Sequence, residues 1–150
     1  MKNRIWIMSE NFEDIVETFE FLDAWEDRYR HVIEMGRAMP ALDDALKTSA
    51  TKVNGCASQV WLVPKIHGIG PDAVLDFDGA SDAMIVQGLI AILKVLFAGQ
   101  TVKQALEIDA IAAFARLGLD QHLSAQRSNG LRAMIERLRA FSKAASLGSK

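Results

Sequence analysis

From Asn11 the apolar side chains recur as Phe12, Ile15, Val16, Phe19 and Leu22, with acids between them. That three-and-four spacing predicts an amphipathic helix. Asp23 with Glu26 forms an acidic variant of the capping box. Trp25, Tyr29, Val32, Ile33 and Gly36 then predict a second helix, ending at or just before Pro40. Residues 41–57 are polar and broken, with a short strand predicted around Thr51–Asn54. Gln59–Ile66 is rich in strand-forming residues, and Pro64 inside it points to a sheet edge or a bulge. Gly68–Pro71 is a turn and Ala73–Asp78 a second strand, so the two make an antiparallel hairpin.

Gly79–Asp82 is a turn that caps the next helix, with Ser81 or Asp82 as N-cap. That helix, Ala83–Ala98, is apolar nearly all round and predicts the buried spine of the domain. Gly99 stops it. Shorter helices follow from Thr101 and from about Asp109, and Gly118 closes the second. The last helix, from about Arg127 to Ala145, turns Leu131, Met134, Ile135, Leu138 and Phe141 inward. The class is α+β: helices packed on one face of a small antiparallel three-stranded sheet.

The 150 residues suit one domain spanning 1–150, with Met1–Glu10 as a poorly patterned extension and Met8 as an alternative start. Half the residues are hydrophobic and 24% charged, a globular balance rather than a disordered one. A net charge of −2 excludes nucleic-acid or membrane-surface binding by bulk electrostatics. The charge is uneven, however: the first fifty residues carry 6 basic and 11 acidic side chains, the last fifty 8 and 4. That dipole is suited to orienting a partner. The apolar run after Lys2 and Arg4 is too short for a signal peptide, and Gln87 and Lys94 interrupt the longest apolar segment. The expected location is the reducing cytoplasm.

A single cysteine, Cys56, excludes an internal disulfide, a zinc ribbon and a protein-borne iron–sulfur cage. A lone cysteine is most often a small buried hydrophobe. This one lies in a Gly-flanked loop, Asn54-Gly55-Cys56-Ala57-Ser58-Gln59, where presentation matters more than packing. With no resolving thiol, its chemistry is nucleophilic attack on something that a partner or substrate brings. Among His31, His67 and His122, only His122, in a loop before the last helix, is a candidate to pair with it. Three scattered histidines and one cysteine make a poor metal set, so neither metal nor cofactor is expected. Gly68-Ile69-Gly70-Pro71-Asp72-Ala73 matches a dinucleotide fingerprint but leads into a strand, not a helix, and is rejected. The basic set Arg127, Arg132, Arg137, Arg139 and Lys143 is mostly a solvated helix face, with Arg132–Glu136 an ordinary (i, i+4) pair. Arg127, at the loop–helix junction, is the exception.

In order, several blocks of the chain resemble the SufE family of sulfur-acceptor proteins, which includes CsdE. They are Trp25-Glu26-Asp27-Arg28-Tyr29 with Ile33-Glu34-Met35-Gly36, then Val53-Asn54-Gly55-Cys56-Ala57-Ser58-Gln59-Val60-Trp61. Gly79-Ala80-Ser81-Asp82-Ala83 with Val86-Gln87-Gly88-Leu89, then Gly118-Leu119-Asp120-Gln121-His122-Leu123 and Arg127-Ser128-Asn129-Gly130-Leu131, follow. The resemblance implies a fold like that of the scaffold IscU. It implies acceptance of sulfur from a pyridoxal-phosphate cysteine desulfurase, SufS- or CsdA-like, with stimulation of that enzyme. It also implies delivery to a SufBCD-like scaffold for iron–sulfur cluster assembly, and a homodimer. Cys56 matches the acceptor, and Asp82 and Arg127 match an acid and an arginine of the family. Their expected roles are to hold the Cys56 loop and to steady the thiolate or the donor contact. Three alternatives stand beside this reading: a desulfurase-binding regulator that carries no sulfur, a relay to tRNA modification, and a thiol hydrolase or peroxidase using Cys56 with His122.

Overall fold

The computed structural model describes residues 11–148, and the expected extension at Met1–Glu10 lies outside them. Helix α1 (Phe12–Phe21) opens on a reciprocal cap: the Asn11 side chain accepts from the Asp14 amide at 3.0 Å, and the Asp14 carboxylate accepts from the Asn11 amide at 3.1 Å. Helix α2 (Trp25–Ala38) starts from Ala24 with no side-chain cap, so the Asp23–Glu26 box does not form. Arg28 secures that corner instead, donating from Nε to the Leu22 carbonyl at 2.7 Å.

Strands β1 (Val60–His67) and β2 (Val74–Ser81) pair antiparallel, Val60 opposite Ser81 and His67 opposite Val74. The glycines between them enter a single 3-10 turn, Gly70–Asp72, that runs straight into β2, as expected for a hairpin rather than a nucleotide loop. Alternation along the strands puts Val60, Leu62, Leu75 and Phe77 wholly inside, each contributing about 1.5–3 kcal/mol by burial. The opposite face carries Lys65, Asp76 and Asp78.

The sheet has two strands among the described residues, not the three expected. Thr51–Val53 does reach the free edge of β1: the Val53 amide donates to the Val60 carbonyl at 2.8 Å and the Leu62 amide to the Thr51 carbonyl at 2.9 Å. Only one bridge, Lys52 opposite Trp61, results. The chain then swings away at Gly55, whose φ of +92° no strand permits. Farther along that edge lies Pro64, as its missing amide hydrogen requires.

Helix α3 (Met84–Phe97) is the spine, burying Val86, Leu89, Ile90, Ile92, Leu93 and Phe97. Neither expected residue is its N-cap, because that position falls to Ala83. Ser81 Oγ accepts the Ala83 amide from two residues before the cap, at 3.1 Å, and Asp82 is engaged elsewhere. Helices α2 and α3 meet backbone to backbone. A Cβ built on Gly88 would stand 2.2 Å from the Val32 carbonyl oxygen, and one on Gly36 2.7 Å from the Gly88 nitrogen. Helix α4 (Val102–Glu107) carries a Thr101–Gln104 capping box, and Asp109 caps α5 (Ala110–Arg116). Gly118, in the left-handed region at φ +75°, turns the chain into the short α6 (Leu119–His122). Helix α7 (Ala125–Ser146) begins two residues before Arg127, capped by Ser124, and buries Leu131, Met134, Ile135 and Leu138. No described helix is long and apolar enough to cross a membrane.

Candidate functional site

The loop 54–58 leaves the short bridge at Val53 and re-enters at β1, and both of its ends are tied down. Upstream, Val53 is wholly inside and bonded to Val60. Downstream, the Asp82 carboxylate accepts from the Gln59 amide at 3.0 Å, and the Asp82 amide donates to the Gln59 carbonyl at 3.3 Å. Ser58 and Ser81 face each other through their hydroxyls at 3.5 Å. The Gln87 side chain accepts the Ser81 amide at 2.7 Å, linking this corner to α3. Asp82 thus braces the stem of the cysteine loop rather than touching the sulfur.

Between these stems Cys56 points inward at α7. Its thiol faces the Gly130 carbonyl at 3.7 Å. A Cβ on Gly130 would stand 3.4 Å from Sγ, in ordinary contact, so the sulfur packs directly on this turn of the helix and a larger side chain there would take its place. The sulfur lies at the edge of a cavity of about 380 Å³, walled by Cys56, Ser58, Val86, Arg127, Leu131 and Met134, among others. The lining is largely apolar, and Arg127 is the charged side chain that borders it. Arg127 is exposed, and its guanidinium takes no hydrogen bond or ion pair among the described residues.

Burial pushes the Cys56 thiol above its ordinary value, and no charged group offsets that effect. At rest the sulfur is a sheltered, protonated thiol, short of the thiolate that nucleophilic attack requires.

His122 is not brought to this cavity. Its ring stacks on Trp25 with centroids 3.7 Å apart and planes 15° apart. Its Nδ1 bonds to the Gly118 carbonyl at 3.0 Å, and its own carbonyl accepts from the Tyr29 hydroxyl. The expectation of a Cys56–His122 pair is corrected: the imidazole is held by the Trp25 ring of α2 and by the Gly118 carbonyl, and Tyr29 fixes the backbone of the same residue. His67 is exposed at the end of β1. His31 is half-buried near Phe19, and burial holds its imidazole below the usual value. Among the described residues no three His, Cys, Asp or Glu side chains stand close enough to share a metal ion.

Two participants have no role assigned by sequence reasoning. Gly130 has no side chain to suggest one, although it stands one helical turn after Arg127. Arg137 belongs to the set read as a solvated face, yet its guanidinium reaches the carbonyls of Ala50 at 2.7 Å and Lys52 at 3.0 Å. Arg139 similarly donates to the Leu106 carbonyl at 3.0 Å. The expected Arg132–Glu136 pair is not among the ion pairs of the described residues.

Comparison with known proteins agrees with these features. Residues 13–142 match the SufE family, described as an Fe-S metabolism associated domain. An uncharacterized SufE-like protein of Rhizobium meliloti is 48% identical over 130 residues, covering 87% of this chain and 93% of its own length. A second uncharacterized SufE-like protein, of Rhizobium etli, is 46% identical over 133 residues, covering 89% and 90%. The solution structure of a hypothetical protein from Thermus thermophilus has the same fold, with a TM-score of 0.70, 19% identity and coverage of 89% of this chain and 94% of that one. With a family match across most of its length and close relatives that share it, the chain belongs to the SufE family.

Proposed function

We propose that this protein accepts sulfur as a persulfide on Cys56, taking it from a cysteine desulfurase and passing it on for iron–sulfur cluster assembly. The observation that carries the reading is the setting of the sulfur. A lone thiol on a loop braced at both stems lies at the edge of a cavity bordered by an unengaged arginine. No imidazole stands beside it to run a self-contained hydrolytic or peroxidatic cycle.

In the transfer step the Cys56 thiolate attacks the terminal sulfur of the donor's persulfide. A new S–S bond forms on Cys56, the donor's S–S bond breaks, and the donor cysteine leaves as a thiolate. Sulfur moves with no net gain or loss of electrons, by the logic of thiol–disulfide exchange. Because burial keeps the resting thiol protonated, docking of the donor is what turns the loop outward. Arg127 then faces the thiolate or the donor, and Asp82 keeps the stem fixed. Donors of the SufS or CsdA type and a SufBCD-type scaffold, in the reducing cytoplasm, complete the proposal.

The test is intact-mass measurement after incubation with a cysteine desulfurase and L-cysteine. A gain of about 32 Da, one sulfur atom, is expected, absent in Cys56→Ser. Stimulation of the desulfurase with no mass gain would assign the protein to regulation instead. The absence of both the mass gain and the stimulation would overturn the reading.

A further inference from the structure

The polar bonds around loop 54–58 leave one unexplained: a charged side chain spent on backbone carbonyls. Arg137 sits on α7 two helical turns beyond Gly130, so both residues face the cysteine loop. Its guanidinium forks onto two alternate carbonyls, Ala50 and Lys52, of the segment that leads into the loop. The Phe141 ring lies 5.5 Å from the guanidinium carbon. Among the described residues no carboxylate stands within ion-pair distance of it. A planar fork on two fixed acceptors demands a definite geometry, which a flexible point charge does not.

One helix therefore meets the loop twice. Gly130 receives its tip, and Arg137 grips the chain just before Val53. Asp82 holds the far stem from the other side. We infer that Arg137 is a positioning residue that sets how firmly the Cys56 loop stays closed, and hence how reactive the resting thiol is. Weakening the grip frees Thr51–Val53 from the edge of β1, and the tip then leaves Gly130 more often. The inference rests on the sulfur-carrier reading for its purpose, but its test needs no desulfurase, so the two can fail separately.

The experiment measures alkylation of Cys56 by iodoacetamide in the full chain, with amide hydrogen exchange at Val53 and thermal melting alongside. Arg137→Ala is expected to raise the alkylation rate on the order of tenfold, the scale of a lost charge-assisted contact. Exchange at Val53 should quicken, while the melting temperature falls only by the few degrees that the same lost contact accounts for. Arg137→Lys keeps the charge but cannot fork onto both carbonyls, and should behave like Arg137→Ala. Arg139→Ala, which releases only the Leu106 carbonyl, should leave the thiol as it was. The inference is overturned if Arg137→Lys reacts at the unaltered rate. It is equally overturned if Arg139→Ala accelerates alkylation as much as Arg137→Ala does, since general loosening of the helix would then be the cause.

Discussion

The Cys56 sulfur rests against the bare backbone of Gly130, 3.7 Å from its carbonyl oxygen. A methyl at position 130 would meet Sγ at 3.4 Å, an ordinary contact. Gly130→Ala is therefore expected to fold normally and to gain up to about 1 kcal/mol from helix propensity. Gly130→Leu fills the place of the sulfur and should turn the loop outward, visible as faster Cys56 alkylation. Equal alkylation rates in the two variants would count against this account.

Burial raises the Cys56 thiol in the native chain, so its alkylation should climb with pH later than in the urea-unfolded chain. The sign for stability follows. A group whose folded value lies above its unfolded one favours folding below the unfolded value, and that favour is lost as pH rises through the folded value. The native chain should thus lose stability through the alkaline range to a greater extent than Cys56→Ser. Matching alkaline stability profiles for the two would contradict the cause assigned here.

Arg127 is exposed and unpaired among the described residues, so Arg127→Ala should change stability by no more than about 0.5 kcal/mol. Its expected defect lies in sulfur acceptance, a slower gain of mass on Cys56 in the desulfurase assay. Unimpaired transfer would remove Arg127 from the mechanism.

The imidazole of His122 is committed to Trp25 and Gly118. His122→Ala should cost about 0.5–1.5 kcal/mol, the scale of an aromatic contact, and leave the pH profile of Cys56 alkylation unchanged in shape. A lost inflection in that profile would restore the imidazole as a partner of the thiol.

Gly88 stands where any side chain would enter the Val32 carbonyl at 2.2 Å, a rigid backbone atom that cannot move alone. Gly88→Ala forces α2 and α3 apart, and the expected loss is about 3 kcal/mol by denaturant unfolding, well beyond the propensity gain. A stability within about 1 kcal/mol of the unaltered chain would mean that the helices separate without strain.

Much of this architecture was legible in the sequence. Periodicity located the helices, and the apolar run of α3 marked the spine, because burial on all sides leaves no polar face to misread. The cysteine loop announced itself through Gly55 and the strand after it. The third strand was not legible. Thr51–Asn54 has strand-forming residues, but how far it pairs depends on where the chain turns away, and Gly55 turns it at once. Capping was read from residue types alone. Ser81 and Asp82 both suit an N-cap, yet their side chains find other amides, and only the fold decides which ones lie in reach. His122 looked free because its stacking partner, Trp25, lies far upstream in the chain. Arg137 looked solvated because a bond from a helix to a distant backbone carbonyl leaves no trace in spacing.

Pro64 sits on the open side of β1, beside Lys65 and beyond the single bridge at Lys52. It offers no amide hydrogen there, and an incoming strand would also meet the neighbouring cation. Two copies of the molecule are thus discouraged from zipping together through their sheets. On the proposed relay, in which one partner must leave before the next arrives, such a blunted border keeps sheet-to-sheet pairing from competing with either.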